Sequence, residues 1–126
     1  MLKSTRSRIQ HYRDLDAWQL AMKIVVEIYR VTRAFPTEER FGLVAQLRRA
    51  AVSIPSNIAE GSGKRTNNHF AEFLTTSLTS AYELETQLLI CHRRNYGDEV
   101  QISKLLGGIN SLQGKIFNFR EKIINN

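Results

Sequence analysis

The segment Gln46–Gly61 reads QLRRAAVSIPSNIAEG, and its spacing decides the fold class. With Phe41 and Val44 ahead of it, the apolar series Leu47, Ala51, Ile54 and Ile58 recurs at threes and fours, the period of a helix with one buried face. Pro55 stands inside this run. A proline has no N–H, so the carbonyl of Ala51 loses its helical partner and the ring presses on that turn, which costs about 3 kcal/mol or bends the helix. Because the apolar spacing continues across the proline, one helix kinked at Pro55 is expected, not two. On the other side Gln46, Arg49, Ser53, Asn57 and Glu60 form a polar stripe, with Ser53 placed to hydrogen-bond near the interrupted turn. Arg49, Ser53, Asn57 and Glu60 are read as a structural polar network that supports the proline and fixes helix register. Arg48, Arg49 and Asn57 are the expected partners of Glu60.

Three further helical runs lie on either side. In front, Trp18, Ala21, Met22, Val25, Ile28, Tyr29 and Thr32 make an apolar face opposite Gln19, Lys23, Glu27 and Arg30. Asp14 or Asp16 is the expected cap of this first helix, and Phe35-Pro36 stops it, since the residue before a proline is pushed out of the helical region. Thr37 is the expected N-cap of the second helix, with Glu38 and Glu39 in its first turn. Behind, Gly61–Thr66 (GSGKRT) supplies a glycine turn, and a third helix is predicted from about Asn67 to Asn95. Its line Phe70, Leu74, Ser77, Ala81, Leu84, Leu88, Cys91 alternates four and three, a period of 3.5 suited to helices crossing at about 20°. Ser77, Ser80 and Ala81 are small, so a neighbouring backbone is expected close by. Tyr96-Gly97 ends this helix, and Asp98 with Gln101 makes a capping-box-like start for a fourth, whose line is Ile102, Leu105, Ile109, Leu112, Ile116, Phe119 and Ile123. No strand signal appears. Short connections force antiparallel neighbours, so residues 14–126 are predicted to be an all-α, up-down-up-down antiparallel four-helix bundle. Residues 1–13, with Lys3, Arg6, Arg8 and Arg13 and no acid, are read as a flexible basic arm.

Composition narrows the class. At 126 residues one core suffices, and the single Cys91 cannot form a disulfide within the chain, which suits a reducing cytoplasm. No apolar run reaches membrane-span length and the basic N-terminus lacks the apolar stretch of a signal peptide, so a cytoplasmic protein without membrane contact is expected. Eighteen Lys and Arg against twelve Asp and Glu leave a net charge of +6, a balance that attracts polyanions.

SIPSNIAEG (Ser53 to Gly61), preceded by QLRRAA (Gln46 to Ala51), resembles the signature of the small four-helix-bundle proteins encoded in intervening sequences of bacterial 23S ribosomal RNA genes. DLDAWQLAM (Asp14 to Met22), Phe35-Pro36, FGLVAQL (Phe41 to Leu47) and YELETQL (Tyr82 to Leu88) extend the resemblance over nearly everything from Asp14 onward. It implies an RNA-linked, non-enzymatic homo-oligomer. Similar bundles serve diversity-generating reverse transcriptases as accessory proteins, where the family pattern is a basic homopentamer that holds nucleic acid and the polymerase.

The candidate sites divide by chemistry. GSGKRT is not a phosphate-binding loop of the strand-loop-helix kind: that motif needs glycine where Ile58 stands, Ser or Thr where Arg65 stands, and a preceding strand. A capped turn is expected, although the start of the third helix beside Lys64 and Arg65 has the polarity to take a phosphate. No catalytic residue, metal site, cofactor or small-molecule substrate is predicted. His11, His69 and His92 are too dispersed for a metal, Cys91 falls on a core line, and Glu60, Glu83 and Glu85 do not converge as an acid-base pair. Bundle topology gathers Lys3, Arg6, Arg8, Arg13, Lys64, Arg65, Lys115, Arg120 and Lys122 at one pole, with Asp14, Asp16, Glu60, Glu72 and Glu121 as its acids. At the other pole Arg30, Arg33, Arg40, Arg93 and Arg94 nearly balance Glu38, Glu39, Asp98 and Glu99. RNA or ribonucleoprotein contact, mostly to phosphates, is therefore expected at the basic pole. The alternative is a protein-interaction scaffold, for example an accessory to a reverse transcriptase, without direct nucleic-acid contact. Gly107, Ser111, Gly114 and Asn118 lie opposite the core stripe of the fourth helix and are the candidate oligomer interface, since helical glycine costs about 1 kcal/mol relative to alanine and invites compensation.

Overall fold

The computed structural model describes residues 11–125; Lys3, Arg6 and Arg8 lie outside the described residues. Four α-helices follow one another: α1 (Asp16–Thr32), α2 (Leu43–Ser62), α3 (Asn67–Arg93) and α4 (Glu99–Ile124), with single 3-10 turns at Tyr12–Asp14 and Thr37–Glu39. Each packs on the next and α4 closes against α1, giving the up-down-up-down bundle, with α1 and α4 its most loosely packed neighbours. No strand occurs among the described residues.

The α2 helix runs without interruption through the buried Pro55. Beside it the hydroxyl of Ser77 donates to the carbonyl of Ile54 at 2.9 Å, while the Ser53 and Ser80 hydroxyls meet at 2.8 Å. The Asn57 amide donates to the Ser53 carbonyl at 2.8 Å and hydroxyl at 3.0 Å. Small serines thus let two backbones approach and add hydrogen bonds at Ser53 and Ile54 beside the proline, although none of these reaches the Ala51 carbonyl whose helical donor Pro55 lacks. The approach is closest near the end of α2, where a Cβ on Gly61 would stand 2.7 Å from Cβ of Phe73 and 2.8 Å from the Phe70 ring.

The core lines of α3 and α4 match their sequence periods: Phe70, Leu74, Ser77, Ala81, Leu84, Leu88 and Cys91 are fully buried, as are Ile102, Ile109, Leu112 and Ile116. Phe119 is half-buried, edge-on to Phe70. The first helix differs from expectation. Its buried line is Ala17, Ala21, Ile24, Ile28, Val31 and Thr32, whereas Met22 and Tyr29 are exposed and Trp18 and Val25 half-buried. Met22 and Tyr29 widened the apparent apolar stripe and pulled its centre away from Ile24.

Two helix starts also differ. Leu15, not Asp14 or Asp16, occupies the cap position of α1, and no side chain caps it; Asp16 sits in the first turn. Thr37–Glu39 forms a separate 3-10 turn, and α2 begins only after Gly42, whose φ of −105° and ψ of −104° break the path. Phe41, assigned to the α2 core line, is 88% exposed because it precedes that break. Asp98 does cap α4, accepting the Gln101 N–H at 2.9 Å. Asn95 and Gly97, at φ of 59° and 74°, turn the chain into it.

Replacing Gly61 with Ala forces the α2–α3 contact apart, and a loss of about 1 to 3 kcal/mol in denaturant unfolding is expected. Cys91 is fully buried, and desolvation together with the Glu39 carboxylate pushes its thiol up to about 11. Alkylation at pH 8 should therefore be slow in the native protein and complete once it is unfolded, as followed by mass spectrometry.

Candidate nucleic-acid interface

The basic pole is assembled by contacts between chain segments far apart in sequence. Asn67, at the start of α3, donates its side-chain amide to the Ile123 carbonyl at 3.1 Å, and the Phe70 and Phe119 rings meet edge-on at 5.6 Å. These join the end of α4 to the start of α3. The turn before α1 is fastened by the Gln19 amide on the Arg13 carbonyl at 2.6 Å and by Tyr12 packed edge-on to Trp18 at 5.4 Å. That turn also packs against α2. Arg13 therefore belongs to a fixed 3-10 turn, where the sequence placed it in a flexible arm.

Around this junction Arg13, Arg65 and Lys122 are exposed, and Lys64 and Arg120 are half-buried. Lys64 Nζ lies 4.8 Å from the Phe73 ring centre, and Arg120 reaches the carboxylate of its neighbour Glu121 at 3.7 Å. Lys115, also exposed, stands two helical turns before Lys122, about 10 Å back along the axis. The cations thus form a cap with one short extension up α4. The GSGKRT turn is a capped turn: Gly63 and Lys64 N–H groups return to the Glu60 and Gly61 carbonyls, and the Thr66 hydroxyl accepts the His69 N–H at 3.1 Å. Thr66 had been legible as a cap, being a threonine directly before a long periodic run.

The polar network divides. Ser53 and Asn57 join Ser77 and Ser80 as described, but among the described residues Arg49 and Glu60 make no side-chain hydrogen bond or ion pair with them. Arg48 turns away from Glu60. Its guanidinium donates to the Thr32 hydroxyl at 3.1 Å and the Tyr29 carbonyl at 3.4 Å, and sits 4.4 Å from the Tyr29 ring centre. It thereby occupies the open carbonyl end of α1, where a cation is favoured, while Glu60, twelve residues further along the continuous α2, stands about 18 Å away along the axis. Glu83 and Glu85 each accept from a glutamine, Gln87 and Gln113 respectively, on different sides of α3. Among the described residues no three His, Cys, Asp or Glu side chains gather in one place.

At the opposite pole the Tyr96 hydroxyl donates to Glu39 at 2.9 Å and accepts from Arg94 at 2.9 Å, while its ring packs on Phe35. His92 also brings a ring nitrogen within 3.6 Å of the Glu99 carboxylate there. No helix is long and apolar enough to cross a membrane among the described residues.

The profile of the 23S rRNA-intervening sequence protein family matches residues 13–118. The chain belongs to that family. A solved structure from Bacteroides thetaiotaomicron, described as a protein of unknown function from the S23 ribosomal protein family, has a similar fold with a TM-score of 0.76 and 20% sequence identity. The match covers 83% of this chain and 95% of that one. At that identity the likeness concerns the fold alone. No curated protein matches the sequence.

The candidate stripe for an oligomer interface faces outward on α4: Gly107, Ser111, Gly114 and Asn118 are all exposed. A Cβ on Gly107 or Gly114 would meet nothing within 4 Å, so nothing within the subunit requires glycine there. Gly107→Ala and Gly114→Ala should each stabilise the protein, by up to about 1 kcal/mol in denaturant unfolding. A loss of stability would mean that another helix packs along this stripe.

Proposed function

We propose that this family member is a non-enzymatic, cytoplasmic, homo-oligomeric protein that holds structured RNA, or a ribonucleoprotein, through phosphate contacts at its basic pole. The observation that carries this reading is the gathering of Arg13, Lys64, Arg65, Arg120 and Lys122 around the Asn67–Ile123 junction, where of the pole's acids Asp14, Asp16, Glu60, Glu72 and Glu121 only Glu121 is ion-paired with one of them among the described residues. Backbone phosphates need no shaped pocket. They need cations held near one another on a rigid support, and each such contact releases condensed counterions.

A second reading, a docking scaffold for a protein such as a polymerase, draws on the other pole. There Phe41 and Val100, 88% and 74% exposed, leave large apolar groups in water.

Retention on structured RNA separates the two. Binding through about five phosphates should weaken roughly five-hundredfold for a fourfold rise in salt. Reversing Lys64, Arg65 and Arg120 to Glu should abolish retention at low salt, whereas Phe41→Ala should leave it unchanged. Retention of wild type that ignores salt and survives the triple reversal overturns the RNA reading.

A further inference from the structure

Among the described residues Tyr29, Phe41, Tyr82 and Phe117 are the aromatic side chains left largely in water. Tyr29 carries the Arg48 guanidinium over its ring at 4.4 Å, and Phe41 that of Arg40 at 5.3 Å. Tyr82 lies halfway along α3, away from either pole. Phe117 stands at the basic pole, two helical turns before the end of α4, and is 47% exposed. No other ring and no cation packs on it among the described residues. The other rings near this pole already have partners: Phe119 meets Phe70, Phe73 contacts Lys64 and His69, and Tyr12 packs on Trp18.

Helical spacing sets Arg120 three residues and the exposed Ile124 seven residues beyond Phe117, on the same side of α4, with about 5 to 6 Å between the Phe117 and Arg120 Cβ atoms. Arg120 is ion-paired to Glu121 at 3.7 Å, a contact between partly exposed groups that a phosphate can replace. Six cations stand at this pole with five acids among the described residues, so attraction for phosphates alone is limited. Stacking adds a term that net charge does not set, since every nucleobase presents a π-face to an aromatic ring. In an A-form duplex those faces are covered by neighbouring base pairs, whereas a loop or single strand can splay a base onto a ring.

We propose that Phe117 stacks an unpaired base of the RNA whose phosphates the basic pole holds, with Arg120 beside it for the adjoining phosphate. This rests on the RNA reading given above and narrows its ligand: looped or single-stranded segments gain an interaction that uninterrupted duplex cannot make. A nucleotide suits this side of α4 because it brings a flat apolar ring and an anion together. An apolar protein side chain would cover Phe117 and gain nothing from Arg120. Stacking tolerates any base, so the contact selects unpaired RNA and not a sequence.

Fluorescence anisotropy on the full chain tests it with two probes, a mixed-sequence RNA strand that does not pair with itself and the blunt duplex it forms with its complement. Phe117→Ala should weaken binding of the strand roughly tenfold or more and leave the duplex unchanged. Phe117→Leu, which keeps apolar bulk but has no π-face, should lose as much, and Phe117→Tyr should bind as wild type does. The salt slope should stay that of wild type in all three, since no phosphate contact is removed. Helical circular dichroism and mass by light scattering should not change. Strand binding that survives Phe117→Ala, an equal loss on the duplex, a leucine variant that binds like wild type, or a change of mass each overturn the stacking alone. A wild type that holds neither probe overturns the RNA reading and the stacking with it.

Discussion

The bundle depends on how closely α2 and α3 approach one another. Pro55 strips a donor from α2, and the neighbouring helix answers with serines where a bundle ordinarily presents leucines. The Ser77 hydroxyl reaches the Ile54 carbonyl and Ser80 meets Ser53, which is possible only because neither residue has bulk to hold the backbones apart. Gly61 continues the same logic a turn and a half later, against the rings of Phe70 and Phe73. Hydrophobic burial supplies most of the driving force, but it is nearly indifferent to register. Directed hydrogen bonds and a glycine that tolerates no Cβ are not indifferent. They fix α3 along α2, and α3 in turn sets where α4 ends.

That register positions the charges. Asn67 bonds the Ile123 carbonyl only if α3 begins where α4 finishes, and Phe70 stacks edge-on with Phe119 under the same condition. Lys64, Arg65, Arg120 and Lys122 are brought to one end by an apolar and amide junction, not by attraction for one another. Holding like charges together costs free energy, and the core bears that cost. At the other pole Glu39, Tyr96 and Arg94 satisfy each other, and the surface there keeps little unmatched charge. Among the described residues six cations stand with five acids at one pole and five with four at the other, so the surplus at the basic pole rests on Lys3, Arg6 and Arg8 of the N-terminal sequence.

Much of the fold could be read from spacing. Regular alternation of four and three along α3 and α4 named their buried residues, because each of those helices has one core face and its apolar residues keep to it. Reading failed where an apolar residue is left in water. Met22 and Tyr29 are indistinguishable in type from core residues, so the α1 face was set off-centre and Ile24 and Val31 were passed over. Phe41 failed differently, since a helical period was carried through Gly42, where the backbone leaves the helix. The basic pole was legible because short connections constrain topology, yet the contacts that secure it, Asn67 to a carbonyl and Gln19 to a carbonyl, leave no periodic trace. Arg48 shows the limit most plainly. Glu60 was its expected partner, yet twelve residues of continuous helix put that carboxylate about 18 Å along the axis, and the bare terminus of α1 that Arg48 meets instead is invisible to pattern.

Met22 and Tyr29 show how such a misreading arises: each has the chemistry of a core side chain, so pattern assigns it inward, while the fold leaves it exposed. Val26, Leu89 and Ile90, which the core lines left out, are exposed as well. The α2–α3 register keeps the cations of the pole in place, so what that pole presents is set by contacts between helices that carry no charge of their own.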